Sequence, residues 1–391
     1  MLRILYLVHN LADPAVHRRV RMLEAGGAAV TLAGFRRGAV PMRHEGEAPV
    51  ELGRTEDGRF TQRLASVASA AVSLAGKLRH VPRPDVIIGR NLEMLALARR
   101  ARAAFGGDIP LVYECLDIHR LLLDAGPVGK AMRGAERLFG RDAALLITSS
   151  PAFVRDYFVR FGQSAAPVVL LPNKVLELDA LPVPSQQAAL PAAGEPWRIG
   201  WFGALRCAKS LDLLAAFTRQ ASGRFEVVLR GRPAYREFAD FDGFVAAEPH
   251  ISFAGPYRNP DDLAAIYGAV HFCWAIDFFE EGLNSAWLLP NRLYEGCRHG
   301  VVPIAMQGTE TARFLSERRI GVLLEDASVD ALQTALSAMD RDNYEALRRR
   351  VVGHDKAEWV AGIGDCRALV ERLQALAGSR AGGDILLEAA A

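Results

Sequence analysis

Near residue 115 the chain sets three protonatable side chains close together, in Pro110-Leu111-Val112-Tyr113-Glu114-Cys115-Leu116-Asp117-Ile118-His119-Arg120. A carboxylate or imidazole at the end of a strand can accept the proton of an attacking hydroxyl, so Asp117, Glu114 and His119 are the candidate general bases. The alternative is that these carboxylates cap the following helix or pair with arginines. A second constellation runs from Gly282 to Met306, GLNSAWLLPNRLYEGCRHGVVPIAM. Pro290 opens and Gly300 closes a helix there, ahead of an apolar strand. A loop feeding a helix N-terminus offers backbone N–H groups and a positive dipole end to an anion, and phosphate is the natural guest. Glu295, one and a half turns in, is placed to accept hydrogen bonds from two vicinal hydroxyls of a ribose. With Asn291, Arg292 and Leu293 it makes a candidate clamp for a nucleoside diphosphate.

The elements that position these groups follow from apolar periodicity. Leu2 to Val8 reads as a buried parallel strand, Val16 to Ala25 as a helix and Ala29 to Ala33 as a second strand, which is a β-α-β unit. Its first turn is His9-Asn10-Leu11-Ala12-Asp13-Pro14 rather than GxGxxG, which argues against dinucleotide binding at this end. Asp85 to Ile88 is a strand ending at Arg90-Asn91. Open α/β sheets place ligands at the carboxyl ends of their strands, so His9, Asn10, Asp13, Arg90 and Asn91 are first-half ligand candidates. Phe60, Leu64, Val67, Ala71, Leu74 and Leu78 share one helical face, which either packs on the sheet or, with its basic flanks, touches anionic lipid. Trp197 to Phe202 restarts the pattern, and Gly203-Ala204-Leu205-Arg206-Cys207-Ala208-Lys209-Ser210 is the loop before its helix. Arg206 and Lys209 are cations suited to a diphosphate, and Arg230 ends the next strand at Phe225 to Leu229. The fold predicted is α/β, with two Rossmann-like doubly wound domains facing across a cleft.

Pro290-Asn291-Arg292-Leu293-Tyr294-Glu295-Gly296, with Gly300-Val301-Val302-Pro303-Ile304-Ala305, resembles the nucleotide-sugar signature of glycosyltransferases of the B-type fold (GT-B). It is most similar to that of bacterial exopolysaccharide transferases of the succinoglycan-assembly type. Asp13-Pro14-Ala15-Val16, Arg18-Arg19-Val20 and Gly34-Phe35-Arg36-Arg37 carry the same resemblance. It implies an N-terminal acceptor-binding domain over residues 1–180, a linker over 181–196 and a nucleotide-sugar domain over 197–345. Helices and a tail over 346–391 would follow, the last helix returning to the first domain. The loop at Gly203 departs from the family's Gly-Arg-x-x-x-x-Lys-Gly: Lys209 keeps the lysine, Ala204 stands where the arginine would be, and Arg206 is the candidate substitute. Gly308-Thr309-Glu310-Thr311 resembles the loop facing the donor sugar, with Thr309 and Glu310 as hydrogen-bonding candidates; plain helix capping is the alternative. Retaining members carry a second glutamate eight residues before the Glu295 position, where this chain has Trp287. Glu281 lies fourteen residues back and is not its equivalent. That departure favours inversion.

The resemblance implies transfer of a sugar from a nucleoside diphosphate sugar, a UDP-sugar first, to a lipid-linked oligosaccharide. No metal and no cofactor beyond the co-substrate is expected. Asp240-Phe241-Asp242 and Asp340-Arg341-Asp342 are spaced like metal-holding triplets, but neither follows a convincing buried strand. Five scattered cysteines without a CxxC pair argue against a disulfide framework or structural zinc. Residues 1–185 hold 25 Lys+Arg against 18 Asp+Glu, and the remainder 22 against 27. A basic first half suits an anionic lipid pyrophosphate or membrane surface, while nothing in the pattern points to nucleic acid. No apolar run reaches the roughly 20 residues of a membrane span, and the expected location is the cytoplasm, peripheral to the inner membrane. Two other readings share the fold: a nucleotide-sugar 2-epimerase, and a catalytically silent scaffold of a polysaccharide assembly complex.

Overall fold

A computed structural model describes residues 1–37, 48–55, 60–178, 188–192 and 194–378. They form two compact units, each built on its own parallel sheet. Unit 1 comprises Met1–Leu171, Leu176–Leu178 and the chain from Ala361 onward; unit 2 comprises Pro172–Val175 and Asp179–Val360. Half of the expected linker, 181–196, lies outside the described residues, namely 181–187 and 193.

Unit 1 is a seven-stranded sheet of β1 (Leu2–Val8), β2 (Ala28–Arg36), β3 (Val50–Arg54), β4 (Val86–Arg90), β5 (Leu111–Cys115), β6 (Ala143–Thr148) and β7 (Val168–Leu170). Its order is β3-β2-β1-β4-β5-β6-β7, with every described pairing parallel. The helices are α1 (Pro14–Ala25), α2 (Phe60–Lys77), α3 (Asn91–Ala104), α4 (Arg120–Leu123) and α5 (Pro127–Gly140), followed by a π-helix at Phe153–Val159. Strands β1, β4 and β5 are apolar along almost their whole length because helices cover both faces. α1 starts where Asp13 accepts from the Ala15 amide at 2.9 Å and Pro14 fills the first turn.

A short strand β8 (Val175–Leu176) spans the boundary, its Leu176 counted with unit 1, and unit 2 then repeats the pattern. β9 (Trp197–Leu205), α6 (Ala208–Gln220), β10 (Phe225–Pro233), α7 (Phe241–Ala247), β11 (Ile251–Phe253), α8 (Leu263–Tyr267) and β12 (Phe272–Trp274) come first. α9 (Asn291–Arg298), β13 (Val302–Met306), α10 (Glu310–Arg318), β14 (Val322–Leu324), α11 (Val329–Leu336) and α12 (Arg341–Val352) complete it. The sheet order is β11-β10-β9-β12-β13-β14. β9 runs three and β10 four residues further than the periodicity predicts, so Gly203 and Arg230 sit within strands. The cause is a glycine pair. Gly231 lies against Gly203 in the register, and a Cβ on Gly231 would meet the Gly203 carbonyl oxygen at 1.9 Å. Both Asp-x-Asp triplets are helix caps: Asp240 accepts from Gly243 N at 2.9 Å and Asp340 from Asn343 N at 2.8 Å.

The chain returns through β15 (Val360–Ala361), which pairs with β8, to α13 (Ile363–Gly378). This last helix packs on α1 and belongs to unit 1, burying Leu369, Val370 and Leu373 in its core. Gly26 makes that crossing possible, since a Cβ there would lie 2.3 Å from the Cys366 carbonyl oxygen. No described helix is long and apolar enough to cross a membrane.

Candidate active site

In each unit the strand order reverses beside the first strand, between β1 and β4 and between β9 and β12. A ligand crevice opens outside the carboxyl ends of strands at such a switch point.

The unit 1 switch point is dominated by a buried carboxylate. Glu114 is fully buried and accepts from Arg19 Nε at 2.6 Å, from Arg90 Nη1 at 3.4 Å and from the Tyr6 hydroxyl. Arg90 Nη1 also donates to the Tyr6 oxygen at 3.0 Å, and Arg90 Nη2 lies 3.8 Å from Asp13. Burial alone would push the Glu114 carboxyl up. The two guanidiniums and the Tyr6 hydroxyl overcome it and hold the carboxyl below its usual value. Glu114 is therefore corrected from candidate base to anchor. It is paired with arginines, closed to solvent and reluctant to take a proton.

His9 follows β1, with Nε2 at 3.7 Å from Asp13. Burial pushes its imidazole down to about 4, helped by Arg90 and Arg37 and opposed by Asp13 and Glu93. Asn10 turns back to accept from the Ala12 amide at 3.1 Å, and Asn91 takes a left-handed backbone, φ 65°, at the end of β4. The remaining base candidates sit on the loop after β5. Asp117 is exposed, and His119 Nδ1 caps α4 by accepting from Leu121 N at 3.3 Å. Arg133 fixes this loop from α5 by donating to the carbonyls of Leu122 (2.6 Å) and Asp124 (2.9 Å). Beneath it Glu136, buried, accepts from Tyr113 (2.7 Å) and Tyr157 (2.5 Å), and burial raises its carboxyl despite those hydrogen bonds.

In unit 2 the cations and the clamp converge on the β9–β12 switch point. Arg206 and Lys209 follow β9, and α6 is tied to β12 through Trp274 Nε1 donating to Ser210 Oγ at 3.1 Å. Arg206 Nη2 lies 3.2 Å from Asp277 Oδ2; Lys209 Nζ donates to both oxygens of Glu281, at 2.6 and 2.8 Å. The N-terminus of α9 has no side-chain cap at Pro290, which leaves its dipole end open to an anion.

The motif residues of α9 divide their work. Arg292 is buried and donates to the carbonyls of Trp274 and Ile276, each at 2.7 Å, so it latches α9 onto the end of β12 and is corrected from donor-clamp residue to latch. Leu293 is corrected likewise: its side chain lies in the core and its N–H is bonded to Pro290 O at 3.0 Å. Asn291 is exposed in the first turn. Glu295 is buried, accepting from Asn259 Nδ2 at 2.8 Å and the Tyr267 hydroxyl at 2.9 Å. Thr309 caps α10, accepting from Ala312 N at 3.1 Å and donating to Met306 O at 2.7 Å, and Glu310 is buried in the first turn. Arg230 reaches the Pro256 carbonyl at 3.5 Å, while its buried Nε has no partner among the described residues.

Sequence reasoning missed Arg19, Tyr6, Asp277 and Asn259. Arg19 had a signal, a charge one position from Val20 on the apolar stripe of α1. The others needed the fold.

Two doubly wound units, with paired cations and an open helix end at the second switch point, define a glycosyltransferase of the GT-B fold. Residues 12–174 match the glycosyl transferase 4-like domain family. The chain is 60% identical over 379 residues to the succinoglycan biosynthesis protein ExoL of Rhizobium meliloti (strain 1021), covering 96% of this chain and 94% of that one. It belongs to the same glycosyltransferase family. Among solved structures, sucrose-phosphate synthase of Thermosynechococcus elongatus matches with TM-score 0.66 and 15% identity over 97% of this chain and 98% of that one. Anabaena Alr3699/HepE in complex with UDP-glucose matches with TM-score 0.65 and 14% identity over 96% of this chain and 100% of that one.

Proposed function

We propose that this glycosyltransferase acts in succinoglycan assembly, moving a sugar from a nucleoside diphosphate sugar, a UDP-sugar first, onto a lipid-linked oligosaccharide. The observation that carries the donor assignment is that Arg206 and Lys209 follow β9 and an uncapped α9, bearing Glu295, follows β12, the two strands of one switch point. The 60% identical relative named for succinoglycan biosynthesis and the UDP-glucose complex of a fold neighbour support it.

In this reading the acceptor oxygen attacks the anomeric carbon and inverts it. The bond from that carbon to the diphosphate oxygen breaks, and its electron pair leaves with the nucleoside diphosphate. Asp117, with His119 second, takes the acceptor proton. Arg206, Lys209 and the α9 dipole stabilise the charge on the departing diphosphate without a divalent metal. The acceptor lies against His9, Asn10, Asp13, Arg90 and Asn91 of unit 1, and the basic first half holds the enzyme to the cytoplasmic face of the inner membrane.

A thermal-shift screen of nucleoside diphosphates and their sugars tests donor binding, because a ligand held only by the native state raises the melting point. Turnover with a lipid-linked acceptor is expected to survive EDTA and to give an inverted linkage by NMR. A strict manganese requirement, or a retained linkage, removes the mechanism. Loss of donor with no acceptor present would turn the reading to the epimerase.

A further inference from the structure

The segment after β12 puts carboxylates where a diphosphate belongs. Asp277 pairs with Arg206 and Glu281 with Lys209, so both cations of the candidate donor site already hold an anion. The arrangement is built. Asp277 Oδ1 accepts from Phe279 N at 2.9 Å, and Ser285 Oγ accepts from Glu280 N at 2.8 Å, which fixes the turn. The same turn lays Phe279 under the Arg206 guanidinium at 4.6 Å and Phe278 under the Lys209 ammonium at 4.7 Å. Arg206, Lys209 and Glu281 are more than a third exposed at their side chains, in the range where ion pairs are weak and exchange readily. A diphosphate offers the same cations more charge and more acceptor oxygens.

We propose that Asp277 and Glu281 are resident counter-anions of the donor site, displaced from Arg206 and Lys209 when a nucleoside diphosphate enters, and that they set how tightly it is held. The proposal rests on the reading that unit 2 grips a nucleoside diphosphate. Phe278 and Phe279 keep the cations pointed at the subsite, so only the carboxylates need to swing away. Their presence also keeps an empty site near charge balance, which discourages inorganic anions from settling there.

The test is calorimetric binding of UDP to the full chain, without divalent metal, at low and high KCl. The variants are E281Q, D277N and K209A. E281Q removes a half-exposed charge and leaves the turn's own hydrogen bonds in place. It is expected to tighten UDP about two- to five-fold at low salt. It should also make UDP affinity fall more steeply with KCl, because an unbalanced cation then faces the ligand. D277N should move both readouts the same way. E281Q that binds UDP as the wild type does, or more weakly, overturns the proposal; so does a gain with an unchanged salt slope, which a merely structural role would give. K209A separates this from the donor reading. If K209A loses UDP while E281Q gains nothing, the reading stands and the counter-anion role falls. If the wild-type chain binds neither UDP nor GDP, both fall.

Discussion

The two switch points share a strand order and carry similar charges, yet they use them in opposite ways. At β1–β4 the arginines are buried around a carboxylate with no exposure of its own, and Tyr6 closes the group. At β9–β12 Lys209 meets Glu281 at the surface, a half-exposed Arg206 meets the less exposed Asp277, and each cation lies on an aromatic ring. The difference is one of exchange. A buried pair cannot release a partner without leaving a charge in low dielectric, whereas an exposed pair can trade it for another anion at little loss. The first cluster therefore holds a shape for neighbouring groups to use, and the second is a place where ligands come and go.

The sharpest way to break that contrast is to orphan the buried carboxylate. Arg90→Met strands Glu114 beside one guanidinium in place of two, and unit 1 should lose about 3–5 kcal/mol, read as a fall in the urea midpoint. A loss below about 1 kcal/mol would mean that the cluster exchanges partners as the exposed one does. Glu295→Ala comes next. It removes the acceptor for Asn259 and Tyr267, costing unit 2 about 1–3 kcal/mol, and it should also weaken UDP. Glu295→Gln, which keeps one oxygen, separates the two effects. If the variant still prefers UDP over 2′-deoxy-UDP as strongly as the wild type does, the ribose role is wrong.

How much of this was legible beforehand follows from the same contrast. The strands, the β-α-β repeats and the helix opened by Pro290 and closed by Gly300 are written in local periodicity and in Pro and Gly punctuation, which a single chain displays, while the order of the strands in each sheet is not. The clamp residues were legible as types and not as roles. Nothing local says that Arg292 turns inward to the carbonyls of Trp274 and Ile276, because those come from a strand ending eighteen residues earlier. Glu114 looked like a base since it ends a strand; its partners Tyr6, Arg19 and Arg90 arrive from positions 24 to 108 residues away. Glu281 was set aside because its spacing from Glu295 matched no pattern, and only the approach of α6 to the turn after β12 gives it a partner.

A smaller effect is a pH dependence to which His9 of unit 1 contributes. Burial disfavours the charged form of His9 and pushes its imidazole down to about 4 in the folded chain, from 6.5 for an unperturbed imidazole. Between those values the unfolded chain binds a proton that the folded chain refuses. The stabilisation is thus present above about pH 6.5 and is lost as pH falls towards 4. His9→Gln should flatten that window by an amount on the order of 1 kcal/mol, seen in urea midpoints at pH 7 and 4.5. Glu114, held below its usual value, contributes only at lower pH and leaves this window unchanged.

The smallest expected stability change tests the other half of the comparison. Lys209→Met removes one of the exposed pairs and keeps the alkyl stem over Phe278, so the urea midpoint should move by less than about 1 kcal/mol. UDP affinity should fall at least about ten-fold, since a charge-assisted hydrogen bond to the diphosphate goes with the ammonium. Arg90→Met should do the reverse, with unit 1 weakened and UDP still bound wherever the chain remains folded. An equal pattern in the two variants would erase the distinction between a locked switch point and an exchanging one. A Lys209→Met protein that kept wild-type UDP affinity would move the diphosphate towards another unit 2 cation such as Arg230, whose buried Nε has no partner among the described residues.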